Sequence, residues 1–388
     1  MRQRKIRETP LPYGRQWIDE ADIAAVVEVL RGDWITQGPY IERFERAVAE
    51  YVGARYAVAF CNGTAALHAA CHAAGIGPGD EVITTPITFL ATSNAVLYCG
   101  GTPVFADIRP DTYNIDPDQV AAKITPRTKA IIGVDLAGQP VEADRLAMLA
   151  RDHGLIFIQD AAHSLGASYA GRKVGTWADM TMFSFHPVKH VTTGEGGIIV
   201  TDREDLRDAL LLFRNHGMTK DPRRLEKNDG PWYYEMHDLG HNCRMTDIQA
   251  ALGVSQMTKL QRFVDRRKAI AARYNAAFAG IPGLKIPYQH PAAESSWHLY
   301  ILRWDPEVIP GGRDRAFAEL RGMNIGVQVH YIPVYLQPYY RKLGYSAGLC
   351  PNAEAYYREA LSIPIFPAMT DRDADDVIEA VLSLVPRA

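Results

Sequence analysis

The sequence predicts an α/β fold: a mostly parallel central sheet with helices on both faces, followed by a smaller C-terminal α+β unit. Short apolar runs alternate with helix-like segments from about residue 55 to residue 201. The runs are near-continuously apolar, which marks strands covered on both faces. Near residue 250 the pattern changes to long helical sequence. A chain of 388 residues is also too long for one small core. The expected organisation is a large unit over 14–250, a small unit over 251–388 that completes a cleft, and an N-terminal arm over 1–13.

Each element can be read in turn. "RYAVAF" is a strand and "TAALHAACHAAG" the helix after it. "DEVITTP" is a strand, followed by the helical "TFLATSNAVLYCG". "TPVFADI" is the next strand. "KAIIGVDL" and "GLIFIQDAA" are strands on either side of the helical "EADRLAMLARDH". "DMTMFSF" and "GGIIVT" complete the sheet. Beyond it, "TDIQAALGVSQMTKLQRFVDRRKAIAARYNAAFAG" is helical, "SSWHLYILRW" a strand and "DRAFAELRGM" a helix. "IGVQVHYI" and "ALSIPIF" read as strands, with a last helix from Asp371. "GIGPGD" has spaced glycines but follows a helix and precedes a strand, the reverse of a dinucleotide fingerprint, so it reads as a turn.

Bulk properties narrow the function. The chain is 47% hydrophobic and 22% charged, enough apolar sequence for a packed core. A net charge of −3 gives no bias toward nucleic acid or anionic lipid. No apolar run approaches a membrane span. "MRQRKIRETPLPYGRQ" is basic without the apolar stretch of a signal peptide, and its first eight or so residues read as a solvated tail. The five cysteines fit neither C-x-x-C nor a zinc spacing, and most lie in apolar context. They read as small buried thiols of a reduced, cytoplasmic protein. No metal ligand set is expected.

In a sheet of this kind, ligands lie beyond the carboxyl ends of the strands. After "YAVAF" come Asn62, Gly63 and Thr64 at a helix start, where free N–H groups attract an anion. Read alone, the same stretch is an N-cap, with Thr64 closing the helix. After "GLIFIQ" come Asp160 and, one turn on, His163. Alone, Asp160 is a cap or a satisfied polar residue, and a functional reading needs a cationic partner. Phe89 follows another strand end, as core or as a ring stacked on a flat cofactor. "SFHPVKHVTTGEGG" sets Lys189 in a loop between two strands, five residues after Ser184. Together these make a phosphate cradle, a stacking ring, a carboxylate and a loop lysine, the set that pyridoxal 5′-phosphate requires. Lys189 bonds its aldehyde, Asp160 keeps its ring nitrogen protonated, Ser184 helps hold the phosphate, and His163 reaches the ring hydroxyl.

The motifs "NGTAAL", "TPITFLATSNA", "QDAAHS", "SFHPVKHVTTGEGG" and "LGHNCRMTDIQAALG" together resemble the DegT/DnrJ/EryC1/StrS sugar aminotransferases of PLP fold type I. The resemblance runs nearly end to end. It implies Lys189 as the Schiff-base lysine, Asp160 at the ring nitrogen, and phosphate contacts from Gly63, Thr64 and Ser184. It also implies that Asn242 reaches the phosphate of a neighbouring subunit, so that active sites are shared in a homodimer. "HNCRM" has cysteine where relatives often carry an aromatic residue.

Within the family, "PYGRQWIDE", "DWITQG" and "VQVHYIPVYLQPYYRKLGY" resemble the transaminases of pseudaminic acid biosynthesis. Those enzymes pass an amino group from L-glutamate to C4 of a UDP-linked 4-keto-6-deoxy sugar. By this likeness, Tyr13, the stretch Asp33, Trp34, Ile35 and Thr36, and the stretch His330, Tyr331, Ile332 and Pro333 line the nucleotide-sugar site. Transaminases of other UDP- or dTDP-linked 4-keto or 3-keto sugars are the alternative. PLP-dependent sugar dehydratases of the family carry histidine at the lysine position, so Lys189 argues against that chemistry, although His190 stands beside it. A non-catalytic relative would not need the complete set of Lys189, Asp160, Ser184 and His163.

Overall fold

The computed structural model describes residues 6–386. Two helices precede the alternating region, α1 (Glu20–Arg31) and α2 (Pro39–Val52). Asp19 caps α1 by accepting from the Ala21 and Asp22 N–H groups, while the Asp22 side chain reaches back to the Asp19 N–H. On α2, Phe44, Val48 and Val52 fall on one face and are buried against the sheet.

The central sheet has seven strands: β1 (Tyr56–Phe60), β2 (Glu81–Thr84), β3 (Thr102–Phe105), β4 (Thr128–Val134), β5 (Ile156–Asp160), β6 (Met180–Ser184) and β7 (Gly197–Thr201). Their order across the sheet is β1-β7-β6-β5-β4-β2-β3. Only β7 runs antiparallel to its neighbours, so the expectation of a mostly parallel sheet holds. Helices α3 (Gly63–Ala73), α4 (Ala91–Tyr98) and α5 (Ala143–Asp152) lie in crossovers between strands, and α6 (Glu204–Arg214) follows β7. Alanines at 66, 69 and 70 let α3 lie close on the sheet, all fully buried. The glycines of "GIGPGD" make the expected turn, with Gly75 and Gly79 at φ +70° and +93°.

The long helical stretch is two helices, α7 (Asp247–Met257) and α8 (Leu260–Phe278). Helix α8 changes core along its length. Phe263 and Val264 pack with the sheet, while Ile270, Ala271 and Tyr274 pack with the C-terminal unit. Residues of both cores therefore lie on this one helix. The C-terminal unit is built on strands β8 (Tyr300–Trp304) and β9 (Ala360–Ile363) with helices α9 (Gly312–Gly322), α10 (Pro351–Glu359) and α11 (Asp371–Leu382).

Two sequence expectations need correction here. "IGVQVHYI" is not a regular strand. Ile325 bridges to Leu11 and Gln328 to Ser362 as isolated pairs, and the chain then bends into Pro333. A tail over the first eight residues does not extend to Arg7. Arg7 donates to Asp373 at 2.7 Å and pairs with Asp376, both on α11, and Leu11 enters the C-terminal core. Residues 1–5 of that expected tail, and of the arm over 1–13, lie outside the described residues.

Candidate active site

The sheet register sets the site. Asp160 ends β5 opposite Met182, and Ser184 ends β6 opposite Gly197. Phe60 ends β1 opposite Gly197 as well. Strand ends β1, β5 and β6 thus converge on one edge. Gly197 must lack a side chain, because a Cβ there would lie 2.5 Å from the Asn62 carbonyl oxygen and 2.7 Å from Gly63 Cα. The start of α3 is thereby pressed against Ser184. A Cβ on Gly63 would meet the Ser184 Oγ at 3.4 Å.

Asn62 caps α3, not Thr64 as the simpler reading supposed. Its Oδ1 accepts the Ala65 N–H at 2.8 Å, and its carbonyl takes the Ala66 N–H. Gly63 and Thr64 sit in the first helical turn, where N–H groups have no intrahelical acceptor. With the Ser184 hydroxyl they form a concave donor set at a positive dipole end.

Lys189 stands in the loop from Phe185 to Gly196. That loop is stapled by Phe185 N–H to Gly196, Thr193 N–H to Phe185, and Lys189 N–H to His186, at 2.9–3.0 Å. The residue as a whole is partly exposed, but its ammonium end is desolvated. Burial and the attraction of Asp160 act in opposite directions, and burial wins, bringing the pKa down to about 8. A substantial neutral-amine fraction near neutral pH follows. Capture of pyridoxal phosphate by the apoprotein, followed by absorbance, should therefore accelerate as pH rises and level off above about 8. A rise that continues toward the ordinary lysine range would contradict it.

Asp160 is 4% exposed. Thr92 Oγ1 donates to it at 2.7 Å and the Ala162 N–H at 3.2 Å. Burial still pushes its pKa up, against these bonds and the nearby Lys189. A buried carboxylate in this state requires a cationic partner to ionise fully. Thr92 is itself held by Thr88 at 2.7 Å. Sequence reading missed it; the only signal was a threonine one turn after Phe89 in "TFLAT". Thr92→Val should keep the fold but cost about tenfold or more in turnover, the worth of a hydrogen bond to a charged group. Unchanged turnover would make the contact incidental.

His163 is buried and lies in a cluster with His190, His298 and His330. Burial first, then nearby Lys189, with neighbouring histidines for His163 and His298 and the Arg267 guanidinium for His190 and His298, holds His163, His190 and His298 well below the ordinary histidine range, and His330 at about 3. The cluster is neutral at neutral pH. Ring centroids of His163 and His298 are 4.3 Å apart, and the Tyr331 hydroxyl lies 3.3 Å from His163 Nε2. His163 Nδ1 is buried with no hydrogen-bond partner among the described residues. His298 arrives from "SSWHL", whose Ser296 and Leu299 N–H groups bond the Gly138 and Ala137 carbonyls. Its role was invisible in sequence, because His163 and His298 meet only through the sheet edge.

These residues fit the expected cofactor on chemical grounds. The cradle of Gly63, Thr64 and Ser184 offers donors to a phosphate, and Asp160 has no cation at ion-pair distance among the described residues. His163 Nδ1 lacks a partner, and Lys189 offers an amine. Phe89 is 60% exposed and so is not core; its ring centroid lies 6.4 Å from that of Tyr331. Of the residues expected at the sugar, Tyr13 packs 5.4 Å from His330, and Tyr331 joins both to His163. Ile332 is exposed and Pro333 buried beside them. The stretch Asp33–Thr36 is exposed and lies elsewhere. Thr36 bridges to Thr246, and the Ile35 carbonyl accepts from Asp247 N–H. Asn242 is exposed near that point. It does not cap α7, since Thr246 does so, in a reciprocal box with Gln249.

Known proteins resemble this chain over almost its whole length. The spore coat polysaccharide biosynthesis protein SpsC of Bacillus subtilis is 44% identical over 380 residues, 97% of this chain and 98% of that one. The structure of Helicobacter pylori PseC, an aminotransferase involved in the biosynthesis of pseudoaminic acid, superposes with a TM-score of 0.90 at 34% identity, covering 97% and 99% of the two chains. Spr1654 of Streptococcus pneumoniae, in its PLP form, gives a TM-score of 0.89 at 32% identity over 97% and 100%. Residues 16–382 match the model of the DegT/DnrJ/EryC1/StrS aminotransferase family, and the chain belongs to that family of PLP-dependent sugar aminotransferases.

Proposed function

We propose that the protein transfers an amino group from L-glutamate to C4 of a UDP-linked 4-keto-6-deoxy sugar of the pseudaminic acid type, with Lys189 as the catalytic residue. The observation that carries the reading is a desolvated lysine, poised near neutrality, beside a buried carboxylate at the sheet edge. The extensive likeness to PseC supports the sugar class.

When bound, pyridoxal phosphate supplies an electrophilic aldehyde and a ring that accepts an electron pair. Lys189, as a neutral amine, removes the proton from glutamate Cα and later returns a proton at the sugar carbon. Asp160 would hold the positive charge of the ring nitrogen, Gly63, Thr64 and Ser184 would hold the phosphate, and Phe89 and His163 would help to hold the ring. Tyr13, His330, Tyr331, Ile332 and Pro333 border the sugar and exclude water. Asp33, Trp34, Ile35 and Thr36, together with Asn242, serve the site of a second copy of the chain, in a cytoplasmic homodimer. Their exposure beside the start of α7 supports that reading.

Shared sites can be tested by mixing inactive subunits. Lys189→Ala subunits combined with Asn242→Asp subunits should regain activity on exchange, because one site in each mixed dimer then carries neither lesion. If Asn242 serves its own chain, every site keeps a lesion and activity stays absent, with exchange verified by tagged pull-down.

The greater identity to SpsC, named for spore coat polysaccharide, favours a second reading in which the acceptor is another keto sugar. A panel of UDP- and dTDP-linked 4-keto and 3-keto sugars with glutamate decides between them. The first reading expects the greatest kcat/KM on the UDP-linked 4-keto-6-deoxy N-acetyl sugar. A higher value on a dTDP-linked or 3-keto sugar overturns it.

A further inference from the structure

Two cysteines 182 positions apart meet beside the phosphate cradle. Cys61 follows β1 and precedes Asn62, the residue that caps α3. The Cys61 N–H donates to the Cys243 carbonyl at 2.8 Å, and the Cys243 N–H donates to Arg214 at 3.1 Å. One N–H···O bond of that length keeps the two Cα atoms within about 6.7 Å, inside the span a disulfide bridges. Both residues are partly exposed, and the Asn62 Nδ2 donates to the Cys61 Sγ at 3.7 Å. The other cysteines differ. Cys71 and Cys350 are buried, and burial raises the Cys99 thiol to about 11.

We propose that Cys61 and Cys243 form an oxidisable pair, closed by a low-molecular-weight disulfide, that loosens the hold on the cofactor phosphate. The inference rests on the cradle assigned above to Gly63, Thr64 and Ser184. Contact with the Cys243 thiol lowers the Cys61 pKa to about 7, making Cys61 the attacking thiolate. It attacks one sulfur of the small disulfide and displaces one small thiol. Cys243 then loses its proton, attacks the Cys61 sulfur and displaces the second. Two protein thiols are oxidised and one disulfide is reduced to two thiols. The new bond of about 2.05 Å replaces a non-bonded contact and draws Cys61 toward Cys243. Asn62 is the next residue, so its cap on Ala65 and the donors of Gly63 and Thr64 shift with it.

The test uses the full-length protein and oxidised glutathione as the probe. Thiol titration should fall from five to three, and peptide mapping should join Cys61 to Cys243. Pyridoxal phosphate binding to the apoprotein, read by fluorescence, should weaken by about tenfold and recover with reductant. Cys243→Ser should stop at a mixed disulfide on Cys61, with no cross-link. Overturning results are a different pair, no cross-link, or a cross-linked protein that binds the cofactor as tightly as the reduced one. Reduced protein that fails to bind pyridoxal phosphate overturns the cradle itself, and this inference with it.

Discussion

Lys189→Ala should abolish amino transfer, with a loss on the order of four powers of ten or more. The residue is proposed both to bond the cofactor aldehyde and to carry the proton between substrate carbons, so one substitution removes both roles. The fold should survive. The loop is held by main-chain bonds from Phe185, Thr193 and Lys189 itself, none of which needs the side chain. Removing a desolvated amine also relieves a burial cost. Cofactor retention through the cradle should persist in part, so the variant separates binding from catalysis. Circular dichroism and thermal melting check the fold, and a coupled 2-oxoglutarate assay checks the rate. Substantial turnover would end the assignment of Lys189.

Asp160→Asn should lower the rate by several powers of ten while leaving the structure intact. The amide has the same size but one oxygen, so it keeps one of the two acceptors that now take the Thr92 hydroxyl and the Ala162 N–H on separate carboxylate oxygens. The negative charge and one acceptor are lost. With the charge goes the stabilisation of a protonated ring nitrogen, on which withdrawal of an electron pair depends. Binding of the cofactor should weaken far less than turnover does, because its phosphate contacts are elsewhere. The comparison to make is kcat against cofactor Kd for wild type and variant. A near-normal rate would reduce Asp160 to a buried cap of the loop after β5.

What the sequence disclosed follows from how far each signal must travel. The strands of the sheet were legible because "YAVAF", "IFIQD" and "GIIVT" are apolar on both faces, and that pattern is local. Asp160 and Ser184 were legible because each ends a strand, and Lys189 because it stands in the loop that follows one; the doubly wound sheet gathers such ends on one edge. The partners that tune them were not. Thr92 reaches Asp160 across 68 positions, and His298 reaches His163 from the other unit. Nothing local marks either contact. "IGVQVHYI" misled for the converse reason. Its alternation suits a strand, but only Ile325 and Gln328 find partners before the bend at Pro333. Cys61 and Cys243 looked like separate small hydrophobes until the fold placed them together.

Lys189 is proposed to pass protons for a glutamate-to-sugar transfer within this buried edge. The most direct measurement is an absorbance titration of the pyridoxal phosphate-loaded protein, first with L-glutamate and then with the UDP-linked 4-keto-6-deoxy sugar. Glutamate alone should convert the cofactor to its amine form, releasing one equivalent of 2-oxoglutarate per site, and the keto sugar should restore the aldehyde form. Neither change should occur with Lys189→Ala. A spectrum unmoved by glutamate, or the same conversions in the variant, would contradict it.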